Sequence, residues 1–172
     1  MKAPETDPVL PDLLRNGLRI VFCGTAPGTM SAARKQYYAH PRNKFWRIVF
    51  ETGLTPRILE PAEYSGLLGY GIGLTDIAKH ASGMDNELPR GSLGRDAIRN
   101  LRGRIARYEP AILAFTSLTG GRRFVGGDAT VGPQLMKVGS TQIWILPSPS
   151  PAADWNWDPQ PWHALAHAAR AS

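Results

Sequence analysis

Short apolar runs alternate along this chain with stretches of helical spacing, and each run ends in a cluster of turn-forming residues. Residues 18–23 (LRIVFC) pass straight into Gly24-Thr25-Ala26-Pro27-Gly28. Residues 71–77 (GIGLTDI), 111–115 (AILAF) and 142–146 (QIWIL) follow the same form, with Thr75-Asp76, Thr116-Ser117 and the stretch 147–152 at their ends. Apolar runs this short, without polar alternation, predict strands buried on both faces. Helical spacing predicts helices over 42–52, 61–68, 93–108 and 159–170, and another after Thr116-Ser117 that is interrupted at Gly120-Gly121. Strand–helix alternation predicts a parallel sheet covered on both sides. Ligands in such folds sit beyond the carboxyl ends of the strands, so the four turn clusters should meet along one edge of the sheet.

The 172 residues suit one domain, with 1–16 as a peripheral N-terminal segment. A chain of this length buries enough surface to fold without staples. Lys and Arg number 20 against 14 Asp and Glu, and the net charge of +6 favours an anionic partner such as nucleic acid. Arg95, Arg99, Arg102, Arg104 and Arg107 make the 93–108 helix basic, either as a solvated face or as a DNA footprint. The single cysteine, Cys23, excludes an intrachain disulfide and any cysteine-ligated cluster built from one chain. Of the four histidines only His163 and His167 are spaced i, i+4, and no Glu lies between them, so no metal site is expected. No run of ~18 apolar residues is present to span a membrane. The start of the chain, with Pro4, Pro8 and Pro11, lacks the apolar core of a signal peptide, which places the protein in the cytoplasm.

Three of the turn regions carry side chains suited to chemistry. Gly24 and Gly28 allow a sharp turn and close approach of a ligand to the backbone, whose N–H groups can bind an anion or a carbonyl oxygen. The run Tyr37-Tyr38-Ala39-His40-Pro41-Arg42-Asn43-Lys44-Phe45-Trp46 mixes aromatics, bases and an amide ahead of a helix. An aromatic face such as Tyr38 can stack on an extruded base, or it can belong to the core. Asn43 can orient a water, or it can cap the helix. Pro147-Ser148-Pro149-Ser150-Pro151 is stiff and rich in hydroxyls, and it cannot pair as a strand because proline lacks the donor. Such a loop can press on a DNA backbone with its serines donating to phosphates, or it can be a plain linker.

GTAPG after the first strand, then YYAHPRNKFW, GIGLTDI, EPAILAF and LPSPSPA stand in an order that resembles the uracil-DNA glycosylase superfamily. AHPRNKFW and GIGLTDI are similar to the mismatch-specific uracil/thymine branch, and YYAHPRN with LPSPSPA is similar to the hypoxanthine branch. The likeness spans about 18–165. It implies a three-layer α/β fold around a central four-stranded parallel sheet. It also implies cofactor-free hydrolysis of the bond between a deaminated base and deoxyribose in DNA, by a monomer. On that likeness Asn43 positions the water, with Asp76 a second candidate for polarising water or bonding the base. Tyr38 forms the stacking wall. The backbone of Gly24, Thr25 and Ala26, with Thr116, meets the base edge. Ser148, Pro149 and Ser150 meet flanking phosphates, and His40, Arg42 and Lys44 contact DNA nearby.

The pattern departs from the family in places. Ala26 stands where the mismatch-specific branch has its water-positioning Asn. Leu146 stands where the best-known uracil enzymes have a His, and Thr116 where they read uracil with an Asn. Three functions therefore stay open: a uracil-DNA glycosylase, a hypoxanthine-DNA glycosylase on the same fold, and a protein that binds damaged or abasic DNA without turnover.

Overall fold

A computed structural model describes residues 7–171. In chain order it contains β1 (Ile20–Gly24), α1 (Thr29–Arg34), α2 (Phe45–Glu51), a 3₁₀ segment (Pro61–Tyr70), β2 (Ile72–Asp76), α3 (Arg95–Tyr108), β3 (Ile112–Phe115), α4 (Leu118–Val125), β4 (Gly132–Val138), β5 (Thr141–Ile145) and α5 (Gln160–Arg170). The strands form one sheet in the order β2-β1-β3-β5-β4. β2, β1, β3 and β5 run parallel, and every residue of β1, β2 and β3 is buried. The four apolar runs are therefore the four parallel strands, as their lack of alternation predicts.

Helices cover both faces of the sheet. On one side Phe45, Trp46, Ile48 and Val49 of α2 and Trp162, Leu165, Ala166 and Ala169 of α5 pack with Ile20, Phe22, Ile72 and Leu74. On the other, Leu101 and Ile105 of α3 and Phe124 of α4 pack with Val21, Cys23, Leu113 and Phe115. No helix among the described residues is long and apolar enough to cross a membrane.

Three expectations change. The sheet has five strands rather than four, because β4 adds an antiparallel edge to β5. β4 escapes a reading by hydrophobic pattern because Leu135 points to solvent while half-buried Gln134 donates to the carbonyls of Thr130 and Gly132, which leaves only Met136 and Val138 to mark the inner face. The N-terminal stretch is peripheral in position only. Leu13 exchanges backbone hydrogen bonds with Leu74 at 2.9 and 3.0 Å, covering the outer edge of β2, and Leu10 is fully buried. Residues 1–6 of that stretch lie outside the described residues.

The third change concerns α4, which runs unbroken through Gly120-Gly121. The glycines let the helix approach β5 closely: a Cβ on Gly121 would lie 2.5 Å from Ile145. Gly121→Ala therefore sets a gain in helix propensity of about 1 kcal/mol against overpacking of about 1–3 kcal/mol. Urea denaturation should show a net loss of stability. An unchanged midpoint would mean that α4 can lift off the sheet freely.

Candidate functional site

The carboxyl ends of the parallel strands lie in one row. Gly24 pairs with Asp76 in register, the Thr116 N–H donates to Cys23 O at 3.0 Å, and the Leu146 N–H donates to Phe115 O at 2.9 Å. Strand alternation puts Asp76 on the same face as the core residues Ile72 and Leu74, the side occupied by α2. Gly24 has no side chain to fill the space there. A Cβ at that position would lie 2.6 Å from Asp76 Oδ1 and 3.8 Å from both Thr116 Oγ1 and the Tyr38 hydroxyl. Three polar side-chain ends thus converge over one glycine Cα, and the Tyr38 and Thr116 hydroxyls are 3.1 Å apart.

Tyr38 is held there by its surroundings. Its backbone adopts φ +51°, a left-handed conformation costly for an aromatic residue. The Trp46 indole N–H donates to the carbonyls of Tyr37 and Tyr38 at 3.3 and 3.2 Å, and the Ala39 N–H donates to Ser31 Oγ at 3.0 Å. One ring face of Tyr38 stacks on Phe45, centroids 4.0 Å apart and planes within 18°. That contact occupies one ring face, and the residue as a whole is half-buried.

Asp76 is buried and its Oδ2 has no hydrogen-bond partner. Burial is the chief reason its carboxyl is pushed up from an ordinary 3.8 to about 7; the charge on Asp12 adds to this, while Lys79 and Arg104 oppose it. Burial likewise drives the Tyr38 hydroxyl and the Cys23 thiol upward, so both stay protonated. A carboxyl of this kind can donate a hydrogen bond at neutral pH, as an ordinary aspartate cannot.

The structure brings none of Asn43, His40, Arg42, Ser148 and Ser150 into hydrogen bond or ion pair with Gly24, Tyr38, Asp76 or Thr116, and some of them are already engaged. Asn43 Oδ1 accepts from the Phe45 N–H at 2.9 Å, an Asx turn that leads into α2 and fixes the amide. Asn43 also borders a cleft of about 450 Å³ with His40, Trp46 and Arg47. His40 Nδ1 accepts from the Arg42 N–H at 3.1 Å, and Arg42 is exposed. Lys44 is paired with Asp154 and lies over the Trp157 ring, so its ammonium is turned away from a free contact with DNA. Its N–H donates to Pro149 O at 2.9 Å, tying the proline–serine loop to the start of α2. Ser148 Oγ accepts from Ser150 N and Ser150 Oγ from Ala152 N, leaving both hydroxyl protons to donate outward. The carbonyls of Gly24 and Thr25 accept from the N–H groups of Ile77 and Ala78, so this turn offers a ligand N–H groups rather than carbonyls. Thr25 Oγ1 donates to Asp85 at 2.5 Å, which straps the 82–94 loop onto the turn.

Reading the sequence alone misses Asp12, Lys79 and Arg104, which cluster beside Asp76. Their separation along the chain hides the cluster, and no spacing rule would find it.

The pH dependence of stability tests the burial of Asp76. Between about pH 4 and 7 the unfolded chain sheds a proton that the folded chain keeps. The contribution of Asp76 is therefore full at low pH and lost as pH rises through about 7. Asp76→Asn keeps the shape without titrating, so it should gain stability relative to the parent between pH 4.5 and pH 7.5 in urea denaturation. A constant difference between the two proteins would show a solvated carboxyl.

A family model of the uracil DNA glycosylase superfamily matches residues 11–168. The fold is similar to a solution NMR structure of a candidate uracil DNA glycosylase from Methanosarcina acetivorans. That likeness has a TM-score of 0.69 and 20% identity over 94% of this chain and 96% of that one. At this identity the structural likeness is one of fold, and the family match extends over nearly the whole chain. The chain belongs to the uracil DNA glycosylase superfamily, and so to a family of enzymes that release bases from DNA.

Proposed function

We propose that this chain is a monofunctional DNA glycosylase that hydrolyses the N-glycosidic bond of uracil in DNA and leaves an abasic site. It works as a monomer and a single domain on DNA carrying a deaminated base. The observation that carries this reading is the convergence of Asp76, Thr116 and Tyr38 over Gly24, with a carboxyl that holds its proton near neutral pH.

Release of the base leaves negative charge on its carbonyl oxygens and oxocarbenium character on the sugar. Donors fixed in advance around the departing base contribute most, because they need no reorganisation as charge develops. Neutral Asp76 supplies one such donor, where an ionised carboxylate would repel the leaving anion. The N–H groups of Thr25 and Ala26 supply others. Extruding the base costs a few kcal/mol of stacking, offset in part by the ring of Tyr38. Asn43 orients the attacking water through the second lone pair of its carbonyl oxygen; the bond to Phe45 fixes that oxygen in place. Ser148 and Ser150 donate to phosphates beside the extruded nucleotide, and Arg42 adds charge from the surface.

A carbonyl beside a ring N–H is also the edge that hypoxanthine presents, so the same donor–acceptor cradle makes hypoxanthine the second reading. Oligonucleotides carrying uracil, hypoxanthine or a thymine mismatch, single- and double-stranded, separate the two by alkali cleavage after incubation. Uracil should be released fastest. Preferential release of hypoxanthine moves the assignment, and tight binding to uracil or abasic DNA with no release makes the chain a binding protein.

The role of Asn43 can be separated from its turn. Asn43→Ala removes both turn bond and amide, while Asn43→Ser keeps an oxygen that can make the turn. Both should slow single-turnover release at least roughly tenfold, the low end for a positioned polar group. If the Ser variant keeps the parent rate, Asn43 serves the turn alone.

A further inference from the structure

A compact ionic cluster lies against Asp76 on the side of β2 away from Tyr38. Asp12 Oδ1 accepts from Thr75 Oγ1 at 2.6 Å and pairs with Lys79 Nζ, also at 2.6 Å. Its other oxygen is 3.2 Å from Arg104 Nε. The Arg104 Nη2 donates to the backbone carbonyl of Asp76 at 2.9 Å and to Thr75 Oγ1 at 3.3 Å. Lys79 also donates to the Tyr37 hydroxyl at 3.4 Å. Both cations nearest Asp76 are thus ion-paired with Asp12, although the hydrogen bonds of Arg104 go to Thr75 and to the Asp76 backbone and its buried Nε makes none. Among the described residues no ion pair reaches the Asp76 carboxyl, and its Oδ2 stays buried without a partner.

We propose that Asp12 is a positioning residue for Asp76: by holding Lys79 and Arg104 in its own ion pairs, it leaves the Asp76 carboxyl without a counter-ion. The consequence for base release rests on the role given to Asp76 above; the electrostatic effect does not. Asp12 acts in two ways. It engages both cations, and its own negative charge opposes a second one nearby. The remaining groups facing Asp76 are the hydroxyls of Tyr37 and Tyr38 and the thiol of Cys23, all driven upward by burial and so uncharged. Thr116 does not titrate. Burial is the chief cause that raises the Asp76 carboxyl, and the charges that adjust it are those of Lys79, Asp12 and Arg104.

The placement is built into the chain. Asp12 precedes Leu13, whose backbone is bonded to Leu74 in both directions, so Asp12 is delivered beside Thr75. Its side chain is 23% exposed, that of Arg104 21% and that of Lys79 12%, which leaves limited solvent to screen them.

The test is a carboxyl ¹³C NMR titration of Asp76 in the full chain, with the resonance assigned by its loss in Asp76→Asn. The pH profile of base release from uracil-containing DNA is measured in parallel. Asp12→Asn frees two cations toward Asp76 and should move its midpoint down by roughly one unit, the low end for an opposite charge at close range. Lys79→Gln removes one of those cations and should move it up. Opposite shifts in the two variants support the proposal, and Lys79→Gln still decides it if Asp12→Asn does not fold. Unmoved midpoints, or shifts in the same direction, overturn it. If the NMR midpoints move as expected while the pH profile of release stays fixed, Asp12 keeps its role and the reading of Asp76 in base release fails instead.

Discussion

The site depends on a carboxylic acid pressed against a glycine at the tips of two paired strands. β1 and β2 run in register to their ends, so Gly24 and Asp76 are neighbours by backbone geometry alone. A Cβ on Gly24 would collide with Asp76 Oδ1, and the contact holds only because that side chain is missing. The same contact keeps water from the carboxyl, and an ionised aspartate in such a place would be costly without a partner. Burial therefore sets both the shape of the cradle and the proton on Asp76. The Tyr38 and Thr116 hydroxyls complete the cradle by bonding to each other at its rim.

This cradle is assembled from segments far apart in the chain, and each is tied down by contacts outside it. The left-handed turn at Tyr38 is held by the Trp46 indole and by Ser31. The start of α2 is held by Asn43 and by the carbonyl of Pro149. The Trp162 indole of α5 in turn donates to Pro147 at 3.0 Å, fixing the root of the proline–serine loop. The Lys44 backbone N–H, donating to Pro149 O, thus joins the second turn region to the last, while the two indoles brace each from behind. Rigid support of this kind is what allows donors to be aimed before a substrate arrives, rather than reorganised by it.

Much of the fold was legible because burial on both faces leaves a plain mark in a sequence. The runs at 18–23, 71–77, 111–115 and 142–146 carry no alternation, and each became a parallel strand. β4 was not legible, since solvent exposure of Leu135 and the half-buried Gln134 interrupt the usual pattern after a single apolar pair. The six residues of α1 are too few to show a period. At the site, strand ends with turn chemistry marked Gly24, Asp76, Thr116 and Ser148 from sequence. The partnership of Asp12 with Lys79 and Arg104 left no local trace, because electrostatic contacts across 67 and 92 positions obey no spacing rule. The pairing of Lys44 with Asp154 was hidden for the same reason.

The departures at Ala26, Leu146 and Thr116 first read as missing chemistry, and the structure shows why they do not empty the site. Leu146 is fully buried in the core on the α2 side of the sheet, so an imidazole there would lack both space and partners. Thr116 keeps a hydroxyl at the rim, where its bond to Tyr38 turns a stacking ring into part of a polar network. Ala26 lies in a turn whose Gly24 and Thr25 carbonyls are already engaged, so its neighbourhood contributes N–H donors whatever side chain it bears. Polar function has moved from three side-chain positions to one buried carboxyl and a set of backbone donors. A buried acid beside the ion-paired Asp12, Lys79 and Arg104 is more sensitive to its electrostatic surroundings than an amide would be. That sensitivity ties the N-terminal segment to Asp76 through Asp12, which the Leu13–Leu74 pairing holds beside Thr75.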